Sequence, residues 1–103
     1  MILSKEKFFF MTAERPITIY RLLRTIRDCS AKEVANELLV SSTYIGAIEK
    51  QIRTPSVRFD RAFAKLMGVP EELIRSFIIS ENDTFATALW RLTQKMYQLG
   101  CLE

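Results

Sequence analysis

Residues 30–56, SAKEVANELLVSSTYIGAIEKQIRTPS, decide how the chain folds. Ser30 stands three residues before Glu33, the spacing at which a serine hydroxyl takes a free helix amide while the glutamate returns to the serine's own amide. Val34, Ala35 and Leu38 then recur at helical spacing and give this first segment one inward stripe. Leu39 and Val40 make a tight turn, and Ser41 caps a second helix in which Ile45 and Ile48 are the residues to bury. A basic loop through Lys50, Arg53 and Thr54 closes at Pro55 and Ser56. One short stretch thus holds two amphipathic helices, a turn and a cationic exit.

Upstream, Pro16 suits the first turn of a helix, and Ile19, Leu22, Leu23 and Ile26 carry helical spacing through about Arg27. Asp28 occupies the place where a left-handed residue closes that helix, a role glycine fills more cheaply. Downstream, Ser56 caps a fourth predicted helix whose broad apolar face is Val57, Phe59, Ala62, Phe63, Leu66 and Met67, and Gly68 stops it. Pro70 opens a fifth with Leu73, Ile74 and Phe77. Residues 80–83 are polar and mark a boundary. Beyond it Phe85, Leu89, Leu92, Met96 and Leu99 are spaced four, three, four and three, the seam of a bundle helix or short coiled coil.

A chain of 103 residues that is 49% hydrophobic can close one small all-α domain over a modest core. Its charge is uneven. Residues 14–65 carry ten basic against six acidic side chains, whereas residues 66–103 carry three against five. The positive balance lies with the decisive segment and fits a polyanionic partner, although a solvated basic surface looks the same in composition. Cys29 and Cys101 are far apart and histidine is absent, so neither a zinc site nor a disulfide framework is expected. The apolar run Phe8 to Met11 is too short for a signal-peptide core, and no stretch approaches the ~18 apolar residues of a membrane span. The expectation is a cytoplasmic chain with no membrane contact, in which residues 1–13 form an arm and Phe8, Phe9 and Phe10 cover a core edge.

Several small motifs, in order, resemble one family. Leu23 and Arg24, Val34 and Ala35, Val40 and Ser41, Ile48 and Glu49, and Pro55 and Ser56 follow, between Ile17 and about Phe77 and without a gap, the pattern of the Cro and phage-repressor class of helix-turn-helix regulators, the xenobiotic-response-element type. The resemblance implies a five-helix lambda-repressor-like helix-turn-helix domain over residues 14–80, with an additional C-terminal helix over 81–103. It implies a transcriptional regulator, a repressor that binds a palindromic DNA operator as a homodimer, with no cofactor. It also implies an ion pair between the helix-one Arg24 and the helix-three Glu49. Glu49 follows two apolar positions on a face that packs inward, where an unpartnered carboxylate costs several kcal/mol and a bidentate arginine answers it.

The base-facing positions implied by the resemblance are Ser42, Thr43, Tyr44, Gly46 and Ala47. Here the chain departs from the family, which often places glutamine, arginine or asparagine on this face for bidentate contacts to adenine or guanine. Hydroxyl, methyl and glycine groups discriminate single bases weakly, so readout should lean on DNA shape. Gly46 costs about 1 kcal/mol against alanine mid-helix; it either permits close approach to DNA or is a tolerated surface residue. Leu39 and Gln51 replace the glycines usual in the two turns. Phosphate contacts are assigned to Ser30, Lys32, Ser41, Lys50, Arg53, Thr54, Ser56 and Arg58, because helix N-termini and basic loops grip a backbone. Lys50 and Arg53 lead, since the family uses that loop for this purpose, whereas Arg61 and Lys65 read as solvated charge. Tyr44 either meets a phosphate or sugar or packs against Pro55.

One such domain makes few contacts, so the family pairs two half-sites. Phe85, Leu89, Trp90, Leu92, Met96, Tyr97 and Leu99 are the expected dimer interface, against the alternative that this seam folds back to complete a monomeric core. Enzymatic activity is not expected, since serines and cysteines have no histidine partner and no phosphate loop or metal cluster is visible in the sequence. The competing reading is a protein-binding adaptor, an antitoxin or anti-repressor, that keeps the helix-turn-helix fold and holds a protein partner by its arm or last helix.

Overall fold

A computed structural model describes residues 16–102. The arm expected over residues 1–13, with Phe8 to Phe10, lies outside the described residues. Among the described residues every regular element is helical: α1 Ile19–Ile26, α2 Ala31–Leu38, α3 Ser42–Glu49, α4 Val57–Met67, α5 Glu71–Ser76 and α6 Phe85–Gln98. None of these helices is long and apolar enough to cross a membrane.

The starts of the helices follow from side chains that replace lost backbone partners. Ser30 Oγ accepts from the Glu33 amide at 3.0 Å while Glu33 Oε1 accepts from the Ser30 amide at 2.8 Å, completing the expected capping box. Ser41 accepts from Tyr44 N and Ser56 from Phe59 N, each at 3.0 Å. Each cap contributes about 1 kcal/mol. One start moves: Pro16 lies ahead of α1, because Thr18 is its N-cap and accepts from the Arg21 amide.

The ends are tighter than the sequence advertises. Asp28 (φ 56°), Leu39 (φ 59°) and Gln51 (φ 62°) all take the left-handed conformation, as does Gly68 at the end of α4 (φ 71°). For a residue with a Cβ this costs roughly 1–2 kcal/mol. Leu39 gains nothing by burial in return, since its side chain is 91% exposed.

A single apolar cluster takes residues from all six helices. Leu22 and Leu23 of α1 sit at its centre with Val34, Ile45, Phe63, Met67, Leu92 and Met96, all essentially inaccessible. The inward stripe of α4 is narrower than its composition suggests: Phe59, Phe63, Ala64 and Met67 are buried, whereas Val57, Ala62 and Leu66 face solvent. A helix held from one side buries only the arc its neighbours cover.

The seam of α6 is also corrected. Ala88, Leu92 and Met96 enter the core and α6 packs on α1, with Phe85 and Leu89 half-covered beside them. Leu92 and Met96 therefore cannot serve the dimer interface assigned to them, and this part of the seam folds back onto the core, whereas Leu99 at its end stays exposed. Trp90 and Tyr97 point the other way and stay exposed. Arg27 ties the same end of the molecule together, its Nε donating to Met67 O at 2.8 Å and its Nη2 to Cys101 O at 3.0 Å. Both cysteines are free.

Arg24 and Glu49 meet as expected. Arg24 Nε and Nη2 donate to the two carboxylate oxygens at 2.5 and 2.9 Å, and Nη1 donates to Cys29 O at 2.8 Å. The hydrogen bonds to Glu49 raise the guanidinium further above its already high value, against the opposing effect of burial. Side-chain exposure is 14% for Arg24 and 8% for Glu49, so removing one partner strands the other out of water. In urea denaturation Glu49→Ala is expected to cost about 3–5 kcal/mol, and the double variant Arg24→Met, Glu49→Leu less than Glu49→Ala alone. Leu39→Gly and Gln51→Gly are each expected to raise stability in the same assay, by about 1 kcal/mol, by relieving the left-handed turns.

Candidate functional site

The α2–turn–α3 segment presents a face because α3 is fixed from behind. Ile45, Ile48 and Glu49 are buried, and the remaining positions of the helix look outward or sideways. Thr43, Gly46, Ala47 and Lys50 succeed one another at i, i+3, i+4 and i+7 and so share one stripe, with Ser42 beside it. Ser42, Thr43 and Lys50 are exposed, and Gly46 and Ala47 are partly covered. A Cβ added at Gly46 would meet nothing within 4 Å. The stripe is consequently flat, made of a hydroxyl, a glycine and a methyl group, and ends in an ammonium.

Tyr44 leaves this face. Its ring stands edge-on to Phe59 at 5.5 Å between centroids, and Arg53 lies over it at 5.4 Å. It packs against α4 as part of the partly buried shell around the core, which corrects its assignment as a base-facing residue. The aromatic rings continue inward, since Phe59 stacks on Phe63 at 5.8 Å and Tyr20 touches both. The cause is the position of Tyr44 two residues into α3, where the turn brings it over the start of α4.

Four of the expected phosphate-binding cations, Lys32, Lys50, Arg53 and Arg58, are exposed and enter no ion pair among the described residues. Thr54 is exposed beside them. Ser30, Ser41 and Ser56 use a lone pair each as caps, which leaves the hydroxyl hydrogen free to donate outward. Arg61, by contrast, is matched to Glu71 at 3.4 Å. Next to the stripe an apolar groove opens between the turn and α4, lined by Leu38, Val40, Tyr44, Phe59 and Ala62 with Ser41, Ser56 and Arg58 at its polar edge. Periodicity along the chain does not reveal this groove, because its residues come from three elements.

A second unforeseen feature supports the site from behind. The Tyr20 hydroxyl donates to Asp60 Oδ1 at 2.7 Å, joining α1 to α4. Burial pushes the Asp60 carboxyl up. Burial, and then the hydrogen bond to Asp60, push the Tyr20 phenol well above its ordinary range. Neither residue belongs to an apolar stripe, so spacing alone does not pair them.

No family model, curated protein or solved structure matches this chain.

A phenol whose proton is held more tightly in the folded than in the unfolded chain contributes stability that is complete below about pH 10 and declines as the pH rises past it. Unfolding midpoints followed from neutral to alkaline pH are expected to fall at the high end. Tyr20→Phe should lower stability at neutral pH by about 1–2 kcal/mol, through the stranded Asp60, and flatten the alkaline decline.

Proposed function

We propose that the chain is a DNA-binding transcriptional regulator of the helix-turn-helix class, a repressor whose α3 enters the major groove of a palindromic operator and whose second copy reads the other half-site. The observation that carries this reading is the flat Thr43–Gly46–Ala47–Lys50 stripe, backed by buried Ile45, Ile48 and Glu49 and accompanied by exposed cations that enter no ion pair among the described residues. Low side chains let a helix sit deep against base edges, and exposed cations near such a helix meet the phosphates. In this reading Lys50, Arg53 and Arg58 hold the backbone, and Lys32 adds to them from the start of α2. Ser42 and Thr43 offer hydroxyls, and Ala47 a methyl group for thymine. Discrimination rests on groove shape and deformability more than on bidentate contacts.

The adaptor reading retains one specific support. Leu39 is 91% and Val57 65% exposed, and each adjoins residues lining the apolar groove beside α3. Apolar side chains in such a place suit a protein ligand better than a phosphate backbone.

Selection of bound duplexes from a random pool, followed by affinity measurements over a salt series, tests the proposal. Enrichment of a palindrome is expected. Arg53→Ala should weaken binding to all sequences and lower the salt slope by about one, while Ser42→Ala, Thr43→Ala changes sequence preference. Binding without an enriched site, indifferent to the α3 changes, overturns it in favour of a protein partner.

A further inference from the structure

The solvent side of α6 is not built like a solvated helix. Trp90, Gln94 and Tyr97 stand at i, i+4 and i+7 and share one stripe, opposite the Ala88, Leu92 and Met96 stripe that enters the core. Trp90 is 63% exposed and Tyr97 60%. Ile78, 77% exposed, lines the same surface groove as Trp90, together with Leu73, Phe77, Gln94 and Gln98. Charge is thin there. Of the two cations on the groove, Arg91 is engaged with Asp83, with Ile78 O at 3.0 Å and with the Phe77 ring, which leaves Lys95; among the described residues no carboxylate lines it.

We propose that this face seats a second copy of the chain, the two α6 helices crossing antiparallel about a two-fold axis near Gln94. The inference rests on the two-copy reading given above and assigns its interface. The register is self-complementary. Trp90 lies four residues before Gln94 and Tyr97 three after it, so an antiparallel copy sets each Trp90 beside the partner's Tyr97. The two Gln94 amides then meet, each able to donate to the other. A free large aromatic side chain carries about 150–250 Å², so at their exposure Trp90, Tyr97 and Ile78 offer roughly 400 Å² per copy. Gln94, Lys95 and Gln98 are exposed on the same groove and add to it, which places the contact toward the small, weakly associating end of specific interfaces. Aromatic enrichment with depleted charge is the composition of an interface core. An acidic or basic peptide would find no row of opposite charges on this face.

Trp90 is the only tryptophan in the chain, so its emission reports this face alone. The test is sedimentation equilibrium of the full chain without DNA, from low to high micromolar, with tryptophan emission read on the same samples. A dimer is expected, its Trp90 emission moving to the blue as it forms. Trp90→Glu and Tyr97→Glu should each weaken association at least tenfold with unchanged far-ultraviolet circular dichroism. Tyr97→Glu should also keep the Trp90 emission at its solvent-exposed position at every concentration, and it carries the test if Trp90→Glu fails to fold. A monomer throughout, a dimer whose Trp90 emission does not move, or variants that associate like the parent overturn the interface. The two readings fail separately: a dimer that binds no DNA sustains the interface and sinks the regulator, whereas a monomer that binds DNA sinks the interface alone.

Discussion

The bidentate contact between Arg24 and Glu49 is the constraint on which the rest of the chain depends. It joins the last turn of α1 to the last turn of α3, and by its third hydrogen bond, to Cys29 O, it also sets the link that leads into α2. The three helices that frame the candidate site are thereby fixed to one another by a single planar side chain. Apolar packing of Leu22, Leu23, Ile45 and Ile48 supplies the driving force, but apolar contacts are not directional. The guanidinium fork has one geometry, and it gives α3 a definite rotation about its axis. That rotation decides which residues of α3 reach the surface.

From this frame the consequences spread outward. With Ile45, Ile48 and Glu49 turned in, Thr43, Gly46 and Ala47 have to turn out, and Tyr44 falls between and finds Phe59. The Tyr20–Asp60 hydrogen bond braces α4 from the other side. Arg27 reaches the end of α4 and the Cys101 carbonyl, so the segment after α6 is bound to the same body as α1.

Much of this was legible in the sequence because short-range chemistry specifies it. Ser30 with Glu33, Ser41, Ser56 and Gly68 mark ends that hydrogen bonding within a few residues determines, and the structure keeps each of them. The pairing of Arg24 with Glu49 was legible from a resemblance to a family, and from the cost of burying a lone carboxylate. What was not legible depends on which neighbour lies across from a face. The α6 seam was assigned to an interface although Leu92 and Met96 belong to the core, because four-three spacing describes a stripe and not its partner. The breadth of α4 and the direction of Tyr44 failed in the same way. Leu39 and Gln51 show a further limit, since a turn can impose the left-handed conformation on residues that do not favour it.

The flat stripe of α3 also separates two kinds of evolutionary demand. The residues that hold the helix in place are Ile45, Ile48 and Glu49, and none of the outward positions Thr43, Gly46 and Ala47 is among them. Gly46 borders open space, and most replacements there would improve the helix by up to about 1 kcal/mol. Side chains on this face can therefore be exchanged one at a time while the fold stays the same or grows firmer. A lineage of such chains would diversify in what it contacts long before it diversified in shape.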